Sequence, residues 1–303
     1  MYTRILLPLD GSKTAEQVIP WARILAERFR IPVELLAVIE LGRLLTSVEG
    51  ARRFDALVEQ SARQGKAYLE RISGRFVGSR VTRSVERGAA AELIIERAAA
   101  DKSILVAMTT HGRSGLERWL LGSVVEKVLR GSTNPLLLVR AAPGSRTAGE
   151  ATLKSILLPL DGSHVAEQAL PTAAKLAAKL DLEVFLFRAY ANPFTAFVGG
   201  SGPYAVNVDE LMKQVREEAG AYLEQARREL SKQGIEKISC VLQEGDAAEQ
   251  IVAAAKKGGP DTLIVIGSHG RSGLKRWALG SVTEAVVRHA GNPVLVLRPG
   301  SSH

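Results

Sequence analysis

The stretch Ile5–Ser12, ILLPLDGS, recurs letter for letter at Ile156–Ser163, and each copy opens a segment that ends in a second shared signature. From His111 that signature reads HGRSGLERWLLGSVVEKV and from His269 it reads HGRSGLKRWALGSVTEAV, followed by NPLLLV in one case and NPVLVL in the other. The opening copies lie 151 residues apart and the later ones 158, so the second half carries seven extra residues between its two signatures. The chain is a tandem duplication, and what one half is built to do the other was built to do as well.

Working outward from ILLPLDGS, apolar runs of strand length alternate with longer segments of helical period, the pattern of βαβ units around a parallel sheet. RILLPL is a continuous apolar run suited to a strand covered on both faces. AEQVIPWARILAERF then predicts one helix with Val18, Ile19, Ala22, Ile24 and Leu25 on its apolar side. VELLAVI is the second strand, Phe54 to Ile72 a long amphipathic helix, VTRSVER the third strand and AAELIIERAAA a short helix. SILVAMTT is the fourth strand, SVVEKVLRGS a helix and PLLLVR the fifth strand. The second half repeats this order from KSILLPL to PVLVLRP. The fold class is therefore α/β, two tandem doubly wound domains, each an open five-stranded parallel sheet flanked by four helices. The domains are placed at residues 1–142 and 154–303, joined by a Pro-, Gly- and Ser-containing linker at 143–153. A second irregular stretch from Ala191, ANPFTAFVGGSGPYAVNV, holds the surplus length and reads either as a lid over a site or as a tolerated insertion.

Composition narrows the function classes. The 303 residues suffice for two domains that each bury a core. No run approaches the roughly 18 to 20 apolar residues that span a bilayer, and MYTRILLPLDGS leads straight into a strand, so neither a membrane role nor a targeting segment is expected. Cys240 is the only cysteine, which excludes an internal disulfide and suits a reducing cytoplasm; its place in ISCVLQ predicts buried packing. The net charge of +8 is spread among 32 acidic residues with 5% aromatics, which does not suit a nucleic-acid surface.

Ligands of open α/β sheets gather outside the carboxyl ends of the strands. Both signatures lie there. Asp10 and its repeat Asp161 follow the first strand in a tight LDGS turn; such a carboxylate accepts hydrogen bonds from a sugar or base edge, or holds a divalent cation beside phosphates. The competing role is local, with Asp-Gly making the turn and Ser12 or Ser163 capping the next helix. The later signature offers Gly267-Ser268-His269-Gly270 and, nine residues on, Gly280-Ser281. Glycine turns bring backbone N–H groups close to an oxyanion, and a hydroxyl on a helix's first turn adds a donor where the dipole favours negative charge. Against that, Ser123-Val-Val-Glu126 and Ser281-Val-Thr-Glu284 fit the capping box S-x-x-E, which needs no ligand. Arg113 and Arg271 have no capping duty, and they favour phosphate binding.

Other chemistries fail on spacing. There is no G-x-x-x-x-G-K-[ST], no G-x-G-x-x-G opening the first helix, and Gly112-Arg-Ser-Gly115 is one residue short of a nucleophile elbow. His111 and His269 stand without a partner at metal-ligand spacing and suit turn-lining positions, and Trp119 and Trp277 suit packing more than base stacking.

The residues resemble the universal stress protein family in its tandem form, over nearly the whole chain outside the linker and the insertion. Its hallmark G-x-x-G, nine residues, G-[ST] is complete in the second half as Gly267, Gly270, Gly280 and Ser281. The resemblance implies a Rossmann-like, adenine nucleotide alpha hydrolase-like fold that binds ATP, or ADP or AMP, with Mg2+ where phosphates are present. It implies Asp161 near the adenosine, the Ala189 backbone at the adenine, and Gly267, Ser268, His269, Gly270, Arg271, Gly280, Ser281 and Val282 around ribose and phosphates. In the first half the corresponding set is Asp10, Val38, Thr109, Gly112, Gly122 and Ser123. Thr109 stands where Gly267 does, and a β-branched side chain both intrudes and resists positive φ, so the first site is expected to be weaker or empty. The resemblance further implies an internal pseudo-dimer of the two halves through their last strands, with a homodimer of chains as an extension. A regulatory nucleotide-binding protein of the stress response is the leading function. A slow ATPase using His269, Arg271 and Asp161, and a partner-binding module whose glycines only shape turns, remain as alternatives.

Overall fold

The computed structural model describes residues 2–40, 54–110, 121–141, 151–191, 208–268 and 279–298. Two compact units have as their main bodies Met1–Thr152 and Leu153–Val294. The linker expected at 143–153 falls largely outside the described residues, as does the irregular insertion over 192–207.

In the first unit the strands are β1 (Arg4–Pro8), β2 (Val33–Ile39), β3 (Val81–Arg87), β4 (Ile104–Thr109) and β5 (Leu136–Val139), arranged in the order β3-β2-β1-β4-β5. Ile5 pairs with Val33 of β2 on one side and with Leu105 of β4 on the other, both in parallel. Side chains alternate faces along a strand, so the full burial of the consecutive Ile5, Leu6 and Leu7 at 0% exposure means that both faces of β1 are covered. That is why the strand has no polar alternation. β3, with one neighbour, carries the polar sequence VTRSVER and is mostly half-buried or exposed. The second half repeats the plan with β6 (Ser155–Pro159), β7 (Glu183–Tyr190), β8 (Ile238–Glu244), β9 (Thr262–Gly267) and β10 (Val294–Leu297), ordered β8-β7-β6-β9-β10.

The helix expected from Ala15 is broken. A 3-10 turn covers Ala15–Val18, and α1 runs from Ile19 to Phe29 with Pro20 in its first turn. A proline lacks the N–H that an uninterrupted helix needs at that point, but it fits the first turn of a new one. The core face shifts accordingly: Ala26 is buried and Ile24 only half so. Pro171 does the same in the repeat, separating α5 (His164–Glu167) from α6 (Leu170–Leu180). The other helices are α2 (Phe54–Ser73), α3 (Ala90–Ala99) and α4 (Ser123–Gly131) in the first half, and α7 (Val208–Lys232), α8 (Ala247–Gly258) and α9 (Ser281–His289) in the second. Cys240, expected to be packed, is exposed on β8, with its Sγ 3.7 Å from the Leu223 carbonyl oxygen. β8 ends its sheet's strand order, and an edge strand cannot enclose every side chain it carries. Desolvation still raises the thiol pKa, which disfavours the reactive thiolate.

The Asn-Pro pairs that precede β5 and β10 have a structural task. Asn134, at 0% exposure, donates from Nδ2 to the carbonyl oxygens of Asp101 at 2.8 Å and Ile104 at 3.1 Å. Asn292 does the same to Gly259 at 2.8 Å and Thr262 at 3.2 Å. Each amide thereby fastens the turn that leads into β4 or β9, the strand whose far end carries the later signature. Asn134→Ala strands two carbonyls beside a new void and is expected to lower stability by about 1–3 kcal/mol in urea unfolding, with no change in secondary structure.

Candidate functional site

At the carboxyl end of β1 the turn Asp10-Gly11-Ser12 closes on itself. Asp10 Oδ1 accepts from the Ser12 backbone N–H at 2.9 Å and from Ser12 Oγ at 2.6 Å, while Ser12 Oγ accepts from the Ala15 N–H at 3.0 Å. Gly11 has φ 85, a left-handed conformation that a side chain would strain. The repeat reproduces this with Asp161 Oδ1 at 2.9 and 2.6 Å from Ser163 N and Oγ, and with Gly162 also at φ 85. The local turn of the LDGS motif is thus realised in both halves and fixes where the carboxylate stands, while the serine is the helix N-cap in the second half only, Thr14 holding that place in the first. In the first half a second anchor follows: Glu16, 1% exposed, takes Arg71 of α2 and Arg75, two residues beyond that helix, at 3.1 Å each and Lys13 at 3.5 Å. These ion pairs clamp α2 against the turn.

The helix starts of the later signature do not form the capping box that the S-x-x-E spacing allows as the alternative to phosphate binding. Gly122, in extended conformation, is the N-cap of α4, and Ser123 is already the first helical residue, with no side-chain capping bond. The Gly122 N–H donates to the Thr110 carbonyl oxygen at 2.9 Å, and the Glu126 N–H to the Gly122 carbonyl oxygen at 2.9 Å. In the second half Gly280 caps α9 without a side chain, its N–H donates to the Ser268 carbonyl oxygen at 2.8 Å, and Ser281 is the first residue. A serine one position inside the helix cannot fold back onto the N–H groups of the first turn. Its hydroxyl and those N–H groups therefore converge at the positive end of the helix dipole.

A cavity of about 480 Å3 opens here in the first unit. Asp10, Val38, Thr109, Gly122 and Ser123 all line it, so the described members of the first-half set stand around one space. Gly112, with His111, Arg113 and Trp119, lies outside the described residues. Thr109 is buried at 6% exposure as the last residue of β4, paired with Val139. Neither Thr109 nor Gly267 is among the residues of positive φ, because both complete extended strands. The expected conformational strain at Thr109 is therefore absent, and its side chain, with its bulk and its hydroxyl, is what distinguishes it from Gly267.

In the second half Asp161 follows β6, Ala189 lies in β7 opposite Gln243, and Gly267, Ser268, Gly280, Ser281 and Val282 bracket the gap between β9 and α9. Ser268 is fully buried. His269, Gly270, Arg271 and Trp277 lie outside the described residues. Thr283, not anticipated, donates its buried hydroxyl to the Gly267 carbonyl oxygen at 2.7 Å. Its counterpart is Val125, so Thr109 and Val125 in one half answer to Gly267 and Thr283 in the other. The hydroxyl has changed places between strand end and helix, a swap visible in the sequence only after the two halves are aligned residue by residue.

Also unanticipated is the tetrapeptide AYLE, at 67–70 in α2 and 221–224 in α7. Tyr68 lines the cavity, with the Arg71 guanidinium 5.2 Å from its ring. Around Tyr222 the cation comes from the strand instead, Arg188 of β7 at 4.7 Å, where the first half has Ala37. Burial raises the pKa of both phenols, and the nearby carboxylates of Glu16 and Asp10, or of Glu167 and Asp161, raise it further.

The model of the universal stress protein family matches residues 1–140 and 152–298. The chain belongs to that family. It is 37% identical over 152 residues to universal stress protein MJ0531 of Methanocaldococcus jannaschii, covering 50% of this chain and 85% of that protein. A universal stress protein of Mycolicibacterium smegmatis is 25% identical over 304 residues, covering 97% of both chains, so the tandem form is shared. In fold, the crystal structure of a universal stress protein from Archaeoglobus fulgidus matches with a TM-score of 0.69 at 21% identity, covering 99% of this chain and 100% of that one. Among the described residues no helix is long and apolar enough to cross a membrane, and no group of three or more His, Cys, Asp or Glu side chains could hold a metal ion.

The raised phenols of this family member give a pH dependence of definite sign. Tyr2, Tyr68 and Tyr222 all have pKa values above the ordinary 10.0, with burial the main cause. The folded state thus holds protons that the unfolded chain has lost, so this share of stability is complete below pH 10 and declines as pH rises beyond it. Ultraviolet titration should show these phenols ionising late, and Tyr68→Phe should lessen the alkaline loss of stability.

Proposed function

We propose that each half of this universal stress protein binds an adenine nucleotide, ATP or its di- or monophosphate, and that the protein serves a regulatory role in stress response. The observation that carries this is the cavity of about 480 Å3 on which a glycine-capped helix start, the Ser123 hydroxyl and the Asp10 carboxylate converge. That volume lies within the range of small-molecule sites. The residues fit the ligand. Phosphates take the first-turn N–H groups and the serine hydroxyl, as at other helix N-termini. Asp10 or Asp161 accepts from ribose, and the Val38 or Ala189 backbone meets the base, as the family resemblance implies. Mg2+ keeps most of its ligands from phosphate and water, so a single nearby carboxylate suffices. Binding rather than turnover is the function that this set of groups serves.

The second site is the tighter of the two in this proposal. It has the complete glycine spacing, and Gly267 adds no side chain where Thr109 contributes bulk to the first cavity's wall. Calorimetric titration of the intact protein with ATP and magnesium checks this. Two affinities are expected, with Gly267→Thr abolishing or weakening the tighter by about tenfold or more, roughly 1.4 kcal/mol. Ser281→Asp should act on the same site, since a carboxylate at a helix start suits the dipole and preserves the fold while repelling phosphate. Absence of heat and of any melting shift in the unmodified protein would leave the glycines as turn formers only.

A further inference from the structure

The cavity of the first unit reaches beyond the groups that suit phosphate and sugar. One wall is α2, which contributes Ser61, Gln64, Gly65 and Tyr68. Their spacing of i, i+3, i+4 and i+7 is a single helical face. Facing space is bounded by the apolar Leu36, Val38, Val85 and Ile94. Gly65 lets the helix come close, because a Cβ there would stand 3.2 Å from Val85 Cγ1. An apolar slot edged by an uncharged polar side chain suits a flat heteroaromatic base and offers nothing to a phosphate.

Gln64 is exposed at the rim of this slot, so its packing does not explain why a carboxamide stands there. A carboxamide presents a donor and an acceptor side by side. Adenine offers the complementary N6 donor and N7 acceptor, whereas guanine shows two acceptors, O6 and N7, on the same edge. We infer that Gln64 selects the base in the first-half site, favouring adenine over guanine; this rests on the nucleotide-binding proposal above. Aligned on AYLE, the second half has Glu218 at this place, also exposed on its helix. An ionised carboxylate only accepts and cannot make the same paired contact, so the two halves differ in how strictly they choose the base.

The test uses the full-length chain carrying Ser281→Asp, so that the first site is read alone, titrated with ATP and with GTP in the presence of magnesium. ATP should bind at least about tenfold more tightly than GTP, and adding Gln64→Leu should bring the ratio close to one by weakening ATP alone. An unchanged melting temperature of Gln64→Leu without ligand shows the fold intact, as expected for an exposed position. An unchanged ATP to GTP ratio in Gln64→Leu, with binding abolished by Ser123→Asp, overturns the role of Gln64 and leaves the nucleotide site standing. Loss of all binding on Ser281→Asp alone shows the first cavity empty and overturns the inference. No binding of either nucleotide to the unmodified chain overturns the nucleotide proposal and this inference with it.

Discussion

Parallel pairing of a doubly covered first strand with two neighbours is the constraint from which each half follows. Ile5 is held by Val33 and Leu105, and Ile156 by Val184 and Leu263, in the same register. A parallel neighbour can be reached only by a crossover, so each chain segment leaves the sheet at its carboxyl edge and returns at the other. The LDGS turn after β1 and the end of β4 are brought to that one edge although about a hundred residues separate them. Glycine-capped α4 begins where β4's neighbour space opens, and the cavity is the volume that the two departing segments leave between them.

The halves share this plan and differ in how they fill it. Where the first has Thr109 against Val125, the second has Gly267 bound through its carbonyl to Thr283. Glu16, buried between Arg71 and Arg75, ties α2 down by charge; at the matching places α7 carries Gln225 and Glu229 instead of arginines. The cation beside the repeated tyrosine also moves from helix to strand, from Arg71 to Arg188. Two of these exchanges keep a hydroxyl or a cation near the same edge while altering which element holds it. Duplication with local compensation is how two sites on one chain can come to differ in tightness or choice of ligand without a change of fold.

Much of the fold was legible because its signals are local or periodic. Continuous apolar runs marked the central strands, and Gly11 and Gly162 marked the turns that need φ 85. Proline limits the helices more than the apolar period suggests: Pro20 and Pro171 split what that period joins, since periodicity counts side chains and ignores a missing N–H. The serine of the later signature does not take the capping role that its spacing allows. S-x-x-E describes a capping box only when the serine stands outside the helix, and Gly122 and Gly280 take that place. Ser61, Gln64 and Tyr68 carry no site signal in the sequence, because polar residues on one side of a long helix read as its solvent face.

What the sequence alone determined is the duplication, the α/β class, the strand order's raw material and the residue types at the carboxyl edge, since these depend on repeats, period and turn chemistry within short windows. Tertiary structure decided which side chains share a space. It set Tyr68 and Gln64 around the cavity that Asp10 lines, freed Ser123 from capping, exposed Cys240 and removed the supposed strain at Thr109. The physical reason is that burial and convergence depend on crossovers that bring distant segments together, and no local window records them.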